Sequence, residues 1–346
     1  MSKIKIGLNG FGRIGRALTR IAFDHPDYEI VAINTRSNNT KMMAYLLQYD
    51  SLYRTWNRTI THNDNAIFID DREVICTGHM APHLIPWNEL GVDIVVDATG
   101  AFTMTQDLNG HLEQGAKKVI LTCPAKDESI PDIVLGVNAT LNEENSILDA
   151  SILSNASCTT NCVAPMLKVL DDAFGVHSAF LTTVHAYTAT QSLLDEFNKE
   201  PNRSRAAALN IIPTTTGASK AVGKVMPQLK GRIDGMALRV PVPTVSFTDL
   251  TVTIKKETSV EEINELFHAA SQNHMKGILQ FATAELVSSD YIGNSHSCIF
   301  DSNYTKVFGL DSDNIRVYGW YDNEWGYANR VSDLVAKCAR KISKQA

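Results

Sequence analysis

What this chain lacks narrows its reading first. No apolar run is long enough to cross a bilayer, which excludes a helical membrane span. Positive charge is not in excess: 32 Lys and Arg stand against 38 Asp and Glu, a formal net charge of −6. No global field therefore draws the chain to nucleic acid or to an anionic membrane, and any anion must be held by local groups. Cysteine is sparse, with six residues (Cys76, Cys123, Cys158, Cys162, Cys298 and Cys338) scattered over 346. That is no disulfide framework. Cys158 and Cys162 lie four apart, but no further Cys or His cluster beside them completes a zinc site. Met1-Ser2-Lys3-Ile4-Lys5-Ile6 runs into a strand-like segment and not into a secretory leader. The expectation is a cytoplasmic protein, with no repeat and no low-complexity tract.

What is present suits a soluble chain with sizeable cores: 44% hydrophobic and 20% charged residues. The length suits two domains. Ile4–Leu8 reads as a strand, Gly10 to Gly15 as a glycine turn, Arg16–Phe23 as a helix and Ile30–Asn34 as a second strand, a βαβ unit. Further strands are expected at Ile94–Ala98, Val119–Thr122 and Ile133–Val137. These predict an α/β domain with a doubly wound parallel sheet over residues 1–156. The second half changes character. Leu181–Ala186, Gly235–Val240, Val245–Ile254, Ser297–Asp301 and Val317–Trp320 have strand length and pattern. Helices are expected at Val163–Phe174, Gly217–Val225 and Val260–Asn273. Residues 157–322 thus predict an α+β domain with a mixed or antiparallel sheet. Residues 187–210 are polar and read as a long loop. Asp322–Lys344 reads as a closing helix, so that 323–346 completes the first domain.

Gly10-Phe11-Gly12-Arg13-Ile14-Gly15 fits G-x-G-x-x-G between strand and helix, the Rossmann pattern. Gly10 permits the tight turn, Gly12 lets backbone approach a pyrophosphate, and Gly15 lets helix and strand pack closely. An NAD-specific site places an acid at the end of the second strand. Here that stretch is Asn34-Thr35-Arg36-Ser37, with no carboxylate. Thr35 can donate a hydrogen bond and Arg36 carries the charge a 2′-phosphate requires. NADP acceptance is the favoured reading. The alternative is a solvent-facing Arg, with NAD held by other contacts.

Ser154-Asn155-Ala156-Ser157-Cys158-Thr159-Thr160-Asn161-Cys162 joins an apolar strand to an apolar helix. A helix N-terminus favours a thiolate, which singles out Cys158 as nucleophile. Cys162, one turn further in, reads as a buried core residue. His185 ends an apolar strand and is the best-placed histidine to act as base, although a lone His there is often structural. Thr214-Thr215-Thr216-Gly217 opens a helix and offers N–H groups to an anion. Arg239, amid apolar residues, requires a partner, either a phosphate or a structural ion pair.

Together these segments resemble phosphorylating glyceraldehyde-3-phosphate dehydrogenases almost from end to end. The resemblance rests on Asn9 to Arg16, Ser154 to Cys162, His185 to Thr188, Thr216-Gly217, Arg239-Val240-Pro241 and Trp320 to Trp325. It implies a Rossmann domain, a catalytic domain and assembly as a homotetramer. It implies oxidation of glyceraldehyde 3-phosphate with inorganic phosphate and NAD or NADP to 1,3-bisphosphoglycerate. Cys158 would be the nucleophile and His185 its activator. Ser157, Thr159, Thr216 and Gly217 would line one phosphate site, and Thr188, Arg203 and Arg239 the other. Arg13 and Ile14 would touch the cofactor pyrophosphate, Thr122 would lie near the cofactor, and Asn323 would hold the nicotinamide carboxamide. The chain departs from NAD-specific members at Thr35, where they have Asp. It departs at Met80, upstream of Pro86-Trp87, where they have Arg. It departs at Glu196-Phe197, where many have Leu-Pro. All three point away from a standard NAD-only site. Two rivals stand beside this reading. Erythrose-4-phosphate dehydrogenase would hydrolyse its thioester. A catalytically silent binding protein on the dinucleotide fold, for RNA or a partner protein, is disfavoured by the acidic balance.

Overall fold

The computed structural model describes residues 3–140, 145–309 and 313–345. Two compact units divide the chain. The first takes the chain through Ile133, then Ala139–Ala156, then everything from Ala328 on; the second takes Val134–Asn138 and Ser157–Tyr327.

The first unit carries an eight-stranded sheet in the order β3-β4-β5-β2-β1-β6-β7-β8. Its strands are β1 (Ile4–Asn9), β2 (Tyr28–Asn34), β3 (Ile60–His62), β4 (Ala66–Ile69), β5 (Arg72–Thr77), β6 (Ile94–Asp97), β7 (Lys118–Leu121) and β8 (Ile152–Ser154). From β5 to β8 the pairing is parallel, while β3 and β4 extend the edge antiparallel. β6 and β7 are buried at every position. A parallel sheet covered on both faces demands such continuous apolar runs. The helices α1 (Arg13–Ala22), α2 (Thr40–Gln48) and α3 (Thr105–Glu113) belong to this unit.

The strand expected at Ile133–Val137 does not form. Isolated bridges stand in its place, at Leu135 and, in parallel to Ser154, at Asp132. Asn138 Oδ1 takes the Val134 N–H at 2.9 Å, the Val137 N–H reaches the Val134 carbonyl at 3.0 Å, and Gly136 has φ +87°. Ile133, Val134 and Leu135 are fully buried, but only the Ile133 N–H reaches the sheet, at the Ser154 carbonyl (2.7 Å), and a turn follows it. A short apolar run reports burial and leaves the backbone conformation open.

The second unit carries β9 (Val176–Ala186), β10 (Ile212–Thr215), β11 (Ile233–Val240), β12 (Ser246–Ile254), β13 (Leu279–Ala282), β14 (Cys298–Asp301), β15 (Lys306–Phe308) and β16 (Asn314–Tyr321). The order is β10-β11-β9-β12-β16-β14-β13, with β15 on β16. β9–β11 and β13–β14 are parallel and the other pairs antiparallel, so the sheet is mixed. Strict alternation of buried and half-buried residues along β12 marks one face turned to the core. Its helices are α4 (Cys158–Phe174), α5 (Ala218–Val225) and α6 (Val260–Gln272). The closing helix α7 (Trp325–Gln345) starts three residues later than the sequence pattern placed it, because the buried Asp322 accepts the N–H groups of Glu324 and Trp325 and so caps its first turn. The return to the first unit falls at Ala328, against the expected 323.

Candidate active site

Cys158 owes its position to a tight strand-to-helix turn. Ala156 is buried with φ +51°, a left-handed conformation unusual for a side-chain-bearing residue. Ser157 then caps α4, its Oγ accepting the Thr160 N–H at 3.0 Å. The cap starts the helix five residues before the expected Val163 and makes Cys158 its first residue, where the free N–H groups favour an anion. Cys162 is fully buried, one turn into the core.

His185 arrives from the central strand of the second sheet. Its Nε2 stands 3.5 Å from Cys158 Sγ. In the parallel pairing of β9 and β11 its register partner is Arg239. The Ala186 carbonyl lies 2.7 Å from His185 Nδ1 and 2.9 Å from Arg239 Nη1, and Nη1 lies 2.6 Å from Nδ1. Arg239 Nη1 only donates, so its contact calls for a lone pair on Nδ1, whereas the Ala186 carbonyl calls for a hydrogen there; action as a base requires the second, with the Nε2 lone pair toward the thiol. Burial, then the Arg239 charge, then that of Arg203, push the imidazole down to about 3, against the upward pull of the Ala186 carbonyl. Burial pushes the Cys158 thiol up. The Arg239 charge, the Thr159 hydrogen bonds and the Cys158 N–H pull it back. The resting pair is a neutral base facing a thiol, beside a fixed cation that favours any negative charge formed on sulfur.

Arg239 Nε is buried without a hydrogen-bond partner. Among the described residues no carboxylate pairs with this guanidinium, so the structural ion pair entertained from the sequence is absent there. Arg203 donates to Thr214 Oγ1 at 3.2 and 3.0 Å and pairs with Glu200 at 3.0 Å. The structure thus gathers Cys158, His185, Arg239 and Arg203 into one cationic neighbourhood. The other sequence-derived anion groups are set differently. Ser157 spends its hydroxyl on the cap and also meets Thr160 Oγ1 at 2.7 Å. Thr159 Oγ1 lies 3.0 Å from Tyr321 Oη. Thr188 bonds Thr190 at 2.9 Å on the loop after β9. Thr216 Oγ1 accepts the Ala218 N–H at 3.2 Å, and Gly217, exposed at the start of α5, has open space where a Cβ would stand.

Two residues essential to this geometry were not singled out from the sequence. Tyr321 Oη bonds Thr183 at 2.7 Å as well as Thr159, and its ring meets the His185 ring edge-on at 6.0 Å. It thereby braces base and nucleophile together. Ser246 Oγ accepts the Ala186 N–H at 3.1 Å and donates to Asn323 Oδ1 at 3.0 Å, tying Asn323 to the end of the His185 strand. Their one sequence signal is position: each polar group ends or begins an apolar strand.

The first unit holds a cleft of about 260 Å³ at the carboxyl ends of β1, β2, β5 and β6, where doubly wound sheets bind ligands. Gly10 has φ +96°, and a Cβ there would meet the Ala98 backbone at 2.9 Å; a Cβ on Gly15 would stand 2.4 Å from the Gly10 carbonyl oxygen. At Gly12 a Cβ would meet nothing, which leaves room for a pyrophosphate over the first turn of α1. Arg13 and Ile14 bring backbone N–H groups to that turn, while the Arg13 guanidinium is held by Asp50. Thr35, Arg36 and Met80 line the cleft, and among the described residues no carboxylate does. Thr35 Oγ1 accepts the Asn38 N–H at 3.2 Å, and Arg36 is exposed. Thr122, half-buried, follows β7, its N–H bonded to the Asp97 carbonyl at 3.0 Å. A nicotinamide dinucleotide fits these donors.

Comparison with known proteins agrees with this geometry. Residues 4–105 match the model of the glyceraldehyde 3-phosphate dehydrogenase NAD binding domain, and residues 157–323 that of the C-terminal domain of the same family. Glyceraldehyde-3-phosphate dehydrogenase of Mycobacterium avium is 47% identical, covering 98% of this chain and 99% of that protein. Its counterpart in Streptomyces coelicolor is 48% identical over 96% and 97%, and that of Geobacillus stearothermophilus 46% over 98% and 99%. With both halves of its sequence matched and relatives of such identity along almost its whole length, the chain belongs to the glyceraldehyde 3-phosphate dehydrogenase family.

Proposed function

We propose that the protein oxidises glyceraldehyde 3-phosphate to 1,3-bisphosphoglycerate with inorganic phosphate, through a thioester on Cys158. The observation that carries this is the Cys158–His185 pair at 3.5 Å beside an Arg239 guanidinium that has no carboxylate partner among the described residues. His185 Nε2 takes the thiol proton as sulfur adds to the aldehyde carbon, and returns it to the resulting alkoxide to give the neutral hemithioacetal. The Cys158 N–H, at the start of α4, stabilises the oxyanion. His185 then holds the proton of the hemithioacetal hydroxyl. When bound, the nicotinamide dinucleotide supplies the hydride acceptor. The thioester left on Cys158 retains the oxidation energy, so attack by phosphate yields an acyl phosphate and frees the sulfur. Arg239 and Arg203 hold phosphate groups, assisted by Thr188, and Thr216, Gly217, Ser157 and Thr159 serve the second phosphate position through hydroxyl and N–H groups.

The cofactor reading favours NADP alongside NAD, because Arg36 stands at the cleft where no carboxylate opposes a 2′-phosphate. Asn323 holds the nicotinamide carboxamide. Assembly as a homotetramer is supported by exposed apolar side chains on the 187–211 loop, where Leu193, Leu194 and Phe197 stand in solvent, Phe197 at 94%. The test is turnover with and without inorganic phosphate. Strict dependence supports the phosphorylating reaction, and equal turnover without phosphate points to thioester hydrolysis. A Cys158→Ser variant that kept full dehydrogenase activity would sink the covalent route.

A further inference from the structure

The four parallel strands that end at the dinucleotide cleft each close on a polar side chain: Thr77 on β5, Asn34 on β2, Asn9 on β1 and Asp97 on β6. They are register partners in that order. Their side chains are hydrogen-bonded in the same order. Thr77 Oγ1 donates to Asn34 Oδ1 at 2.9 Å, Asn34 Nδ2 to Asn9 Oδ1 at 2.8 Å, and Asn9 Nδ2 to Asp97 Oδ2 at 2.8 Å. Every donor points toward Asp97. From the other side Trp87 Nε1 donates to His111 Nδ1 at 2.9 Å. An indole only donates, so the imidazole carries its hydrogen on Nε2, which meets Asp97 Oδ2 at 3.3 Å. The other oxygen of Asp97 takes the Thr99 N–H at 3.1 Å and hydroxyl at 2.6 Å.

This carboxylate, 1% exposed, is therefore the common acceptor of two buried arms; as an acceptor only it sets the direction of the strand-end arm, and Trp87 sets that of the His111 arm. Asn34 also brackets the His79 backbone, accepting its N–H at 2.8 Å and donating to its carbonyl at 3.0 Å. The chain thus pins the loops after β1, β2, β5 and β6, which carry Gly10, Thr35, His79 and Thr99 into the cleft wall. Trp87 and His111 are themselves fully buried and line no part of it. A buried acceptor that loses a donor, or a donor that loses its acceptor, costs more than the bond itself contributes. Loops tied to one carboxylate consequently shift together when it is disturbed.

We propose that Asp97, oriented by His111 and Trp87, is a positioning residue for the dinucleotide, holding the four cleft loops at the spacing the ligand requires. The proposal rests on reading this cleft as the dinucleotide site. The test titrates the full-length protein with NADH and NADPH, followed by nicotinamide fluorescence, and measures steady-state kinetics beside it. His111→Leu removes both hydrogen bonds. His111→Gln keeps them, since its amide oxygen accepts from Trp87 and its NH₂ donates to Asp97. His111→Leu is expected to weaken reduced-dinucleotide binding and raise dinucleotide KM by about tenfold, with kcat and aldehyde KM within about twofold; His111→Gln stays within about threefold of the parent. Unchanged binding in both variants overturns the proposal, as does equal loss in both. If His111→Leu does not fold, Trp87→Phe carries the test. It frees His111 Nδ1 while keeping an aromatic ring, and binding weakened about threefold or more supports the relay, whereas parental affinity overturns it. A parent chain that bound neither dinucleotide would instead overturn the cleft reading, a result distinct from any difference among variants.

Discussion

Replacing His185 by Asn tests the centre of the reaction. The substitution keeps a polar planar group near Cys158 and removes the base that now stands 3.5 Å from the sulfur. Two effects follow. The thiol must ionise unaided. Burial pushes its pKa up, so little thiolate stands ready at neutral pH. The hydroxyl proton of the hemithioacetal also loses its acceptor. A positioned base contributes about 10²–10⁴ in rate, so kcat should fall by that range. Alkylation of Cys158 by iodoacetamide separates the two effects, since it reads nucleophilicity alone. Between pH 7 and 8 the parent, whose base takes the thiol proton as the sulfur–carbon bond forms, should alkylate at least about tenfold faster than His185→Asn. A variant that alkylates at the parental rate across this range, and keeps kcat within about threefold, would refute the assignment of His185 as the base.

Other outcomes follow from the same geometry. Folding holds His185 at a pKa of about 3 against about 6.5 in the unfolded chain, so between these values the unfolded state binds the extra proton. Its contribution to stability is present above pH 6.5 and is lost as the pH falls toward 3, by up to about 1.4 kcal/mol per pH unit; denaturant titrations from pH 7 to 4 should show a shallower decline in His185→Asn than in the parent. Arg36→Ala should raise the KM for NADP by about tenfold or more and leave that for NAD within about twofold; a strong NAD preference, unchanged by the substitution, defeats the NADP reading. Gly15→Ala places a methyl 2.4 Å from the Gly10 carbonyl oxygen, and should lower stability by about 1–3 kcal/mol in equilibrium denaturation. An unchanged midpoint would show that the turn relaxes freely.

Much of the architecture was legible because it is written in period and punctuation. Continuous apolar runs gave way to glycine or polar residues at the ends of β1, β2 and β6, and alternation over β12 marked a half-buried sheet. Ile133–Val137 misled because burial alone does not choose between strand and turn; the Asn138 side chain made that choice. The β3–β4 extension escaped notice because its strands, three and four residues long, are too short to carry a periodic signal, and β3 is largely exposed. Helix starts were misplaced where a cap decided them. Small polar residues after Ser157 hid the first turn of α4, and the Asp322 carboxylate moved the start of α7.

The sequence by itself determined the local chemistry: glycines where backbone must turn or approach closely, a serine cap that places Cys158 at a helix start, and an arginine stranded among apolar residues. Those depend on residues a few positions apart. Tertiary structure alone decided which distant groups meet. Arg239 reaches His185 across 54 positions because β9 and β11 pair in that register. Asn9 reaches Asp97 across 88 because β1 and β6 are neighbours. Tyr321 joins Thr159 and Thr183 from the far end of the chain. The charge felt by Cys158 and the spacing of the cleft loops follow from these meetings. Electrostatic and hydrogen-bonding forces act over ångströms in space, and no distance along the chain encodes them.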